Sequence, residues 1–157
     1  MDCVMSLLDL IGNDGIVITT EKELTLDTAL DLTCSLLIKN GKVEASYLEA
    51  IKQKHKEIGA YYVLAPKIAM PHARPEDGVN EAALQITVFK NGVDLESEDN
   101  GDVYFSVTLA AMDSDSHIHT IMALSELFQN EEDVDAIIQA ETESDIKDIL
   151  KNTRIPL

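Results

Sequence analysis

The sequence has no tryptophan, and its 157 residues include only three phenylalanines, four prolines and two cysteines. It also lacks an uninterrupted run of about 18 apolar residues, the length that a membrane-spanning helix requires. No internal repeat and no linker rich in proline or glycine divides it. We therefore expect one globular domain over residues 1–157, without membrane insertion.

The two cysteines, Cys3 and Cys34, stand far apart and outside any CxxC spacing. Such a pair is more typical of reduced thiols than of a disulfide framework. Asp2 stands where a signal peptide would carry positive charge. We expect a cytoplasmic protein in which Cys34 is a small buried apolar residue.

Basic residues are also scarce: 12 lysines and arginines face 29 acidic residues, for a net charge of -17. An acidic surface repels nucleic acids and anionic membranes, because both are bound through cationic patches. The sequence therefore predicts no nucleic-acid partner. The charge favours a partner with a basic face, and solubility alone explains it equally well.

Two amphipathic helices are indicated in the first third of the chain. Residues 25–41 place leucines at helical spacing and end on Asn-Gly, a typical helix stop. Residues 44–59 follow, with Ser46 and Glu49 spaced as a capping box. Within this second helix, His55 lies between two lysines, which places it on a solvated face.

The periodicity then changes to that of strands, and it returns to helix near the C-terminus. The predicted strands are 61–65, 67–70, 82–90 and 102–112. The predicted helices are one from about 114 and two shorter ones, 131–140 and 143–152. Because 82–90 and 102–112 are joined without a helix, a wholly parallel sheet is unlikely. We expect a single-domain α/β sandwich with a mixed central sheet flanked by helices.

Residues 70–78, "MPHARPEDG", contain the first candidate functional residue, His72. Pro71 and Pro75 restrict the backbone on either side of it. A rigid loop at the end of a strand is a common position for a functional side chain. From these residues alone, a surface turn with an incidental histidine explains the segment equally well.

The stretch "SHIHT" contributes two further histidines, His117 and His119. A rotation of about 100° per residue places His117 on the same face as Leu124 and Phe128, and His119 on the opposite face. His117 is therefore the histidine that could meet His72, from a first helical turn whose free N–H groups favour an anion. A histidine at the edge of the core, bonded to a backbone carbonyl, is the alternative.

Four kinds of chemistry compete for such a pair. The chain has neither HExxH nor a Cys–His cluster for zinc, and it has no GxSxG elbow for a serine hydrolase. It also lacks the glycine-rich fingerprints of nucleotide binding. The remaining possibility is that histidine itself is the nucleophile and carries a phosphoryl group. His117 would then be a second donor and Arg74 a nearby cation.

Residues 61–79, "YYVLAPKIAMPHARPEDGV", closely resemble the active-site segment of EIIA components of the bacterial phosphoenolpyruvate-dependent sugar phosphotransferase system. The similarity is to the mannitol/fructose-type superfamily and, within it, to the ascorbate-type branch. It extends to "LLIKNGKVEASYLEAI" and "DSHIHTIMALSELF", and so covers most of the chain. The two family histidines match His72 and His117.

This resemblance implies a cytoplasmic phosphocarrier without metal or cofactor. His72 would accept a phosphoryl group from the histidine-containing phosphocarrier protein and pass it to a cysteine of the cognate EIIB, and through it to membrane EIIC. His117 would stabilise the phosphohistidine, and charge and proximity add Arg74 as a possible phosphate contact. Ascorbate or a related sugar is the implied cargo. The alternative is a regulatory EIIA-like module whose phosphorylation state controls another protein.

Overall fold

Both helices and strands occur along the chain, whose computed structural model describes residues 4–151 and 154–156. The strands are β1 (Val4–Ser6), β2 (Ile16–Thr19), β3 (Val63–Ala65), β4 (Lys67–Ala69), β5 (Ala83–Val93), β6 (Val103–Ala110) and β7 (Arg154–Pro156). The helices are α1 (Leu7–Ile11), α2 (Leu26–Lys39), α3 (Ala45–Ile58), α4 (Ser114–Gln129), α5 (Glu131–Gln139) and α6 (Glu143–Leu150). The predicted elements are therefore confirmed, with ends that shift by a few residues.

The central sheet has five strands in the order β2-β5-β6-β4-β3. β5 pairs antiparallel with β6, whereas β2 runs parallel to β5 and β4 runs parallel to β6. The sheet is therefore mixed, as predicted. β1 and β7 form a separate two-stranded antiparallel pair.

Helices cover both faces of this sheet, which gives the expected single α/β sandwich. Residues of α1, α4, α5 and α6 pack on one face, together with Leu84, Ile86 and Phe105. Residues of α2 and α3 pack on the other face, with Ala83 and Phe89. The alternation along β5 follows from the two-residue period of a strand, which sends neighbouring side chains to opposite faces.

One buried amide fixes α2 against the sheet. Gln85, on β5, accepts hydrogen bonds from the main-chain N–H groups of Leu36 (2.9 Å) and Leu37 (3.2 Å). Its own amide nitrogen donates to Leu32 O at 2.6 Å. A buried polar side chain satisfied in this way locks the register of the helix on the strand.

Two expectations for α3 are wrong. The helix begins at Ala45 with Glu44 as its N-cap, so Ser46 does not cap it; the Ser46 hydroxyl donates instead to Asp77 O at 2.8 Å. His55 is buried, with 5% of its surface exposed. It continues the inward stripe of Tyr47 and Ile51 at helical spacing, and this stripe outweighs the flanking lysines.

The structure also bears on the predictions for the cysteines and for membrane-spanning helices. Cys34 is buried in the core on the α2–α3 face, as predicted. Cys3 lies outside the described residues. Across the described part of the chain, no helix is both long and apolar enough to cross a bilayer.

Candidate functional site

The two histidine segments meet at one edge of the sheet because β4 and β6 run parallel. The chain leaves β4 at Ala69 and continues directly into the segment that contains His72. It leaves β6 at Ala110 and enters α4, with His117 in the first turn. The carboxyl ends of parallel neighbours lie at the same edge, where loops commonly form sites.

His72 is held in one tautomer by its own backbone neighbourhood. Its Nδ1 lies 2.9 Å from Met70 O, and a carbonyl can only accept, so Nδ1 carries the proton. In the neutral ring this leaves the lone pair on Nε2. The half-buried imidazole therefore presents an unprotonated Nε2.

His117 faces His72 across the site. The two ring centroids are 5.5 Å apart, with the ring planes inclined at 58°. The N–H of His117 donates to Asp113 O at 3.1 Å, which places His117 in the first turn of α4. The N–H groups just before it have no acceptor within the helix, and the positive end of the helix dipole lies there.

Both rings are held towards the neutral state. Burial lowers the pKa of His72, and the positive charge of Lys54 lowers it further, while the hydrogen bond to Met70 acts in the opposite direction. Burial also lowers the pKa of His117, and the adjacent His72 adds to this effect. The neutral form of an imidazole is the one that can attack phosphorus.

Lys54 is the cation that the sequence interpretation missed. It projects from the last turns of α3 and lines the same cavity as both histidines. Its Nζ lies 4.5 Å from the ring centroid of Tyr61. Sequence spacing carries no signal for this, because only the packing of α3 beside the strand ends brings Lys54 to His72.

Arg74 also lines the cavity, but its guanidinium is engaged by acids. Its Nε and Nη2 donate to the Asp77 carboxylate at 3.3 and 3.2 Å, and Glu76 lies 3.5 Å away. Three quarters of the Arg74 side chain is exposed, at 74%. The structure thus places Arg74 at the rim, bound to the short 3-10 turn Pro75–Asp77.

That turn is anchored to the start of α3. Glu44 N–H donates to Gly78 O at 2.8 Å, beside the bond from Ser46 to Asp77 O. Gly78 has φ of 141°, and a Cβ there would lie 2.6 Å from the Ser46 hydroxyl. Only glycine fits this close approach. The loop after His72 is therefore held rigidly against the start of α3.

The site is an open cavity of about 690 Å³ that both charged and apolar side chains line. Five large apolar side chains are exposed in the described part of the chain, and two of them, Ile58 and Ile118, line this cavity. They project from α3 and α4 respectively, at exposures of 62% and 54%. Exposed apolar side chains beside reactive groups are typical of a protein-docking surface.

Among the described histidines, His117 lines the cavity and His119 does not. The described residues include no group of three or more histidines, cysteines or acids that could hold a metal ion. The geometry therefore assembles two imidazoles with lowered pKa values, the Lys54 ammonium and a helix N-terminus. This combination can hold and transfer an anionic group.

Comparison with known proteins identifies the family. The model of the phosphoenolpyruvate-dependent sugar phosphotransferase system, EIIA 2, matches residues 11–153. The ascorbate-specific PTS system EIIA component of Shigella boydii serotype 4 (strain Sb227) is 35% identical over 151 residues, which cover 95% of this chain and 97% of that protein.

Solved structures agree with this match. The solution structure of the mannitol-specific cryptic phosphotransferase enzyme IIA CmtB from Escherichia coli superposes with a TM-score of 0.85 at 33% identity, covering 94% of this chain and 99% of that one. Enzyme IIA in the E. coli mannitol IIA–phosphorylated IIB complex shares the fold, with a TM-score of 0.75 at 22% identity over 88% and 95% of the two chains. The chain belongs to the EIIA 2 family of the phosphoenolpyruvate-dependent sugar phosphotransferase system and is a sugar phosphotransferase component.

Proposed function

We propose that this EIIA component carries phosphate on Nε2 of His72. The observation that carries the proposal is the bond from Nδ1 of His72 to Met70 O, which leaves Nε2 as the nucleophilic nitrogen. The donor would be the histidine-containing phosphocarrier protein. The acceptor would be a cysteine of the cognate EIIB, which serves membrane EIIC. The exchange would take place in the cytoplasm.

The transfer balances as two displacements at phosphorus. In the first, the Nε2 lone pair forms a P–N bond as the P–N bond to the donor histidine breaks, and the donor imidazole leaves with that electron pair. In the second, the acceptor thiolate forms a P–S bond, and the electron pair of the breaking P–N bond returns to Nε2 of His72. Such reactions depend mostly on positioning and on charge stabilisation.

The surrounding groups have separate roles in this proposal. His117 would donate a hydrogen bond to the phosphoryl oxygens from the first turn of α4, where the helix dipole also favours negative charge. Lys54 would balance the added charge. Arg74 would contact the phosphoryl group through a guanidinium N–H that Asp77 does not occupy, or by leaving Asp77. An Arg74→Ala protein that is labelled at the wild-type rate would exclude that contact.

The partners would be proteins rather than free sugars. Ile58 and Ile118 flank the histidines and offer apolar area to a protein face, whereas a sugar would require converging polar groups. The mannitol enzyme IIA structure is a complex with phosphorylated enzyme IIB, which supports EIIB as the acceptor class. The Shigella relative supports ascorbate or a related sugar as the cargo.

Phosphoryl labelling tests the assignment of His72. With phosphoenolpyruvate, Enzyme I and the histidine-containing phosphocarrier protein, the wild-type chain should gain one acid-labile phosphate. A His72→Ala variant should gain none, while a matched His119→Ala variant should be labelled normally. Undiminished labelling of the His72 variant would disprove the proposal.

A further inference from the structure

Tyr61 contacts both His72 and Lys54. Its hydroxyl donates to the main-chain oxygen of His72 at 2.5 Å. Its ring meets the His72 imidazole edge to face, with centroids 5.6 Å apart and planes at 75°. The Lys54 ammonium lies over the same ring, 4.5 Å from the centroid. One side chain thus links the nucleophile to the cation.

The peptide group between His72 and Ala73 is bonded at both ends by tyrosine. Tyr61 binds its carbonyl oxygen, and the N–H of Ala73 donates to the Tyr47 hydroxyl at 3.0 Å. Tyr47 itself donates to Leu109 O at the end of β6, so its hydroxyl oxygen is anchored to the sheet. This peptide lies beyond the end of β4, where no strand ladder fixes it. Hydrogen bonds from side chains therefore fix this peptide group, as main-chain hydrogen bonds fix those within the sheet.

Of the two tyrosines, Tyr61 is the one that touches the reacting side chains. Tyr47 is fully buried and contacts only the main chain of the loop, whereas Tyr61 is half-buried between α3 and the site. A cation over an aromatic face is held by the ring quadrupole, most strongly where the pair is partly desolvated. The Tyr61 ring therefore gives the exposed Lys54 ammonium a preferred place beside His72.

We propose that Tyr61 is a positioning residue for phosphoryl transfer, which fixes the His72 ring through its main-chain oxygen and holds Lys54 over its own ring. This inference rests on the proposed phosphocarrier function. In-line transfer needs the nucleophilic nitrogen to be in place for two different partners, and small misplacements of reacting groups are costly in rate. A hydrogen bond at the backbone of His72 leaves Nε2 unobstructed.

On the side away from the site, the Tyr61 ring packs against Tyr62, which contacts His55 in turn. Tyr62 meets the Tyr61 ring edge to face at 5.0 Å, and the Tyr62 hydroxyl lies 2.8 Å from Nδ1 of His55. The other nitrogen of His55 lies 2.7 Å from a Glu96 carboxylate oxygen. Because Tyr62 and His55 are buried and hydrogen-bonded to each other, the Tyr61 ring packs on a fixed neighbour in the absence of any partner.

The test separates the hydroxyl of Tyr61 from its ring. Tyr61→Phe removes the bond to His72 and keeps the face for Lys54, and Tyr61→Leu removes both. We expect the maximal rate of labelling by the phosphorylated phosphocarrier protein to fall by about 10-fold in Tyr61→Phe and by up to about 100-fold in Tyr61→Leu. The KM for the phosphocarrier should stay within about twofold, because the docking rim is intact.

The matched control is Tyr104→Phe, which also removes the hydroxyl of a half-buried tyrosine but lies beside Lys67, away from His72 and Lys54. It should keep the wild-type rate per folded molecule. Ring nitrogen NMR of His72 provides a readout without any partner: Tyr61→Phe should move its signals towards an average of the two tautomers. If the wild-type protein gains no phosphate in the labelling assay, the phosphocarrier function itself is disproved.

If wild-type protein is labelled and Tyr61→Phe is equally fast per folded molecule, the positioning role is wrong while the phosphocarrier function stands. Equal rate losses in Tyr61→Phe and Tyr104→Phe would likewise reduce Tyr61 to a stabilising residue. A rise in KM alone would assign Tyr61 to docking and would also overturn the inference.

Discussion

The imidazole of His117 lies 5.5 Å from that of His72, although the two belong to different structural elements. His72 follows the short strand β4, and His117 lies in the first turn of the helix that follows β6. The parallel pairing of these strands is what juxtaposes them. Since burial lowers the pKa of both rings, the pair combines a free lone pair with a neutral N–H donor.

Replacing His117 by alanine should slow transfer without unfolding the protein. The ring is only half-buried, so its loss leaves a small cavity, but the phosphoryl oxygens lose a donor aimed at developing charge. We expect labelling to be slower by about 10- to 100-fold. Rapid-quench kinetics, with circular dichroism to verify the fold, would measure this. His119→Ala is the matched control, and wild-type kinetics in His117→Ala would leave His117 as a structural residue.

The transfer rate should fall only in acid. His72 has a pKa below its ordinary value of about 6.5, so the attacking neutral ring persists from pH 8 down to at least that value. The rate should decline as the pH falls through the lowered pKa. NMR titration of His72 beside the rate profile provides the measurement. A midpoint above about 6.5 would contradict the role of burial.

Folding stability should change with pH in the same direction. A histidine whose pKa is lowered by folding binds protons more readily in the unfolded chain. Its contribution to stability is therefore complete above about pH 6.5 and declines as the pH falls through the lowered folded pKa. Urea unfolding of wild type and His72→Gln at pH 7.5 and 5.5 gives the difference in their free energies of unfolding, which isolates the contribution of His72. If this difference in free energy of unfolding is the same at both pH values, the predicted pH dependence is wrong.

Replacing Lys54 by methionine should raise the pKa of His72 and slow transfer. The ammonium lowers that pKa by charge repulsion, so its removal favours the protonated ring. We expect labelling to be slower by about 3- to 10-fold, because one charge-assisted contact to phosphate is lost. Lys56→Met, two residues along the same helix and also exposed, is the control. Identical His72 titrations in the two variants would show that Lys54 does not act on the site.

Gln85→Ala should destabilise the fold strongly while leaving the site chemistry intact. The variant loses the hydrogen bonds from the buried Gln85 amide to the main-chain groups of Leu32, Leu36 and Leu37 in α2. We expect a loss of about 2–4 kcal/mol in the free energy of unfolding. Urea denaturation measures it, with the exposed Gln53→Ala as the reference. A loss no larger than that of Gln53→Ala would show that the amide does not lock α2.

Several features could be predicted from local patterns alone. Helical spacing and the Asn40–Gly41 stop located α2, and the change from a period of 3.6 to 2 located β5 and β6. The helical-face argument preferred His117 to His119 because i and i+2 point apart on a helix. The same argument applied to His55 would have placed it inward with Tyr47 and Ile51. Its lysine neighbours were given more weight than the apolar stripe, and that prediction failed.

Other features depended on long-range contacts. The start of α3 shifted to Ala45 because Glu44 and Ser46 bind the loop at Asp77 and Gly78, a pairing that no local pattern encodes. The same packing brings the end of α3 beside the strand ends.

The sequence by itself thus determined the fold class, because helical and strand periodicities are local properties. Local patterns offered His72 and His117 as candidates, and the family resemblance made them the predicted nucleophile and its partner. Only the tertiary structure decided that Lys54 and Tyr61 join His72, that Arg74 pairs with Asp77, and which nitrogen of His72 is free. These follow from the parallel pairing of β4 with β6 and from the packing of α3 beside them, and contacts between distant segments are set by the whole core.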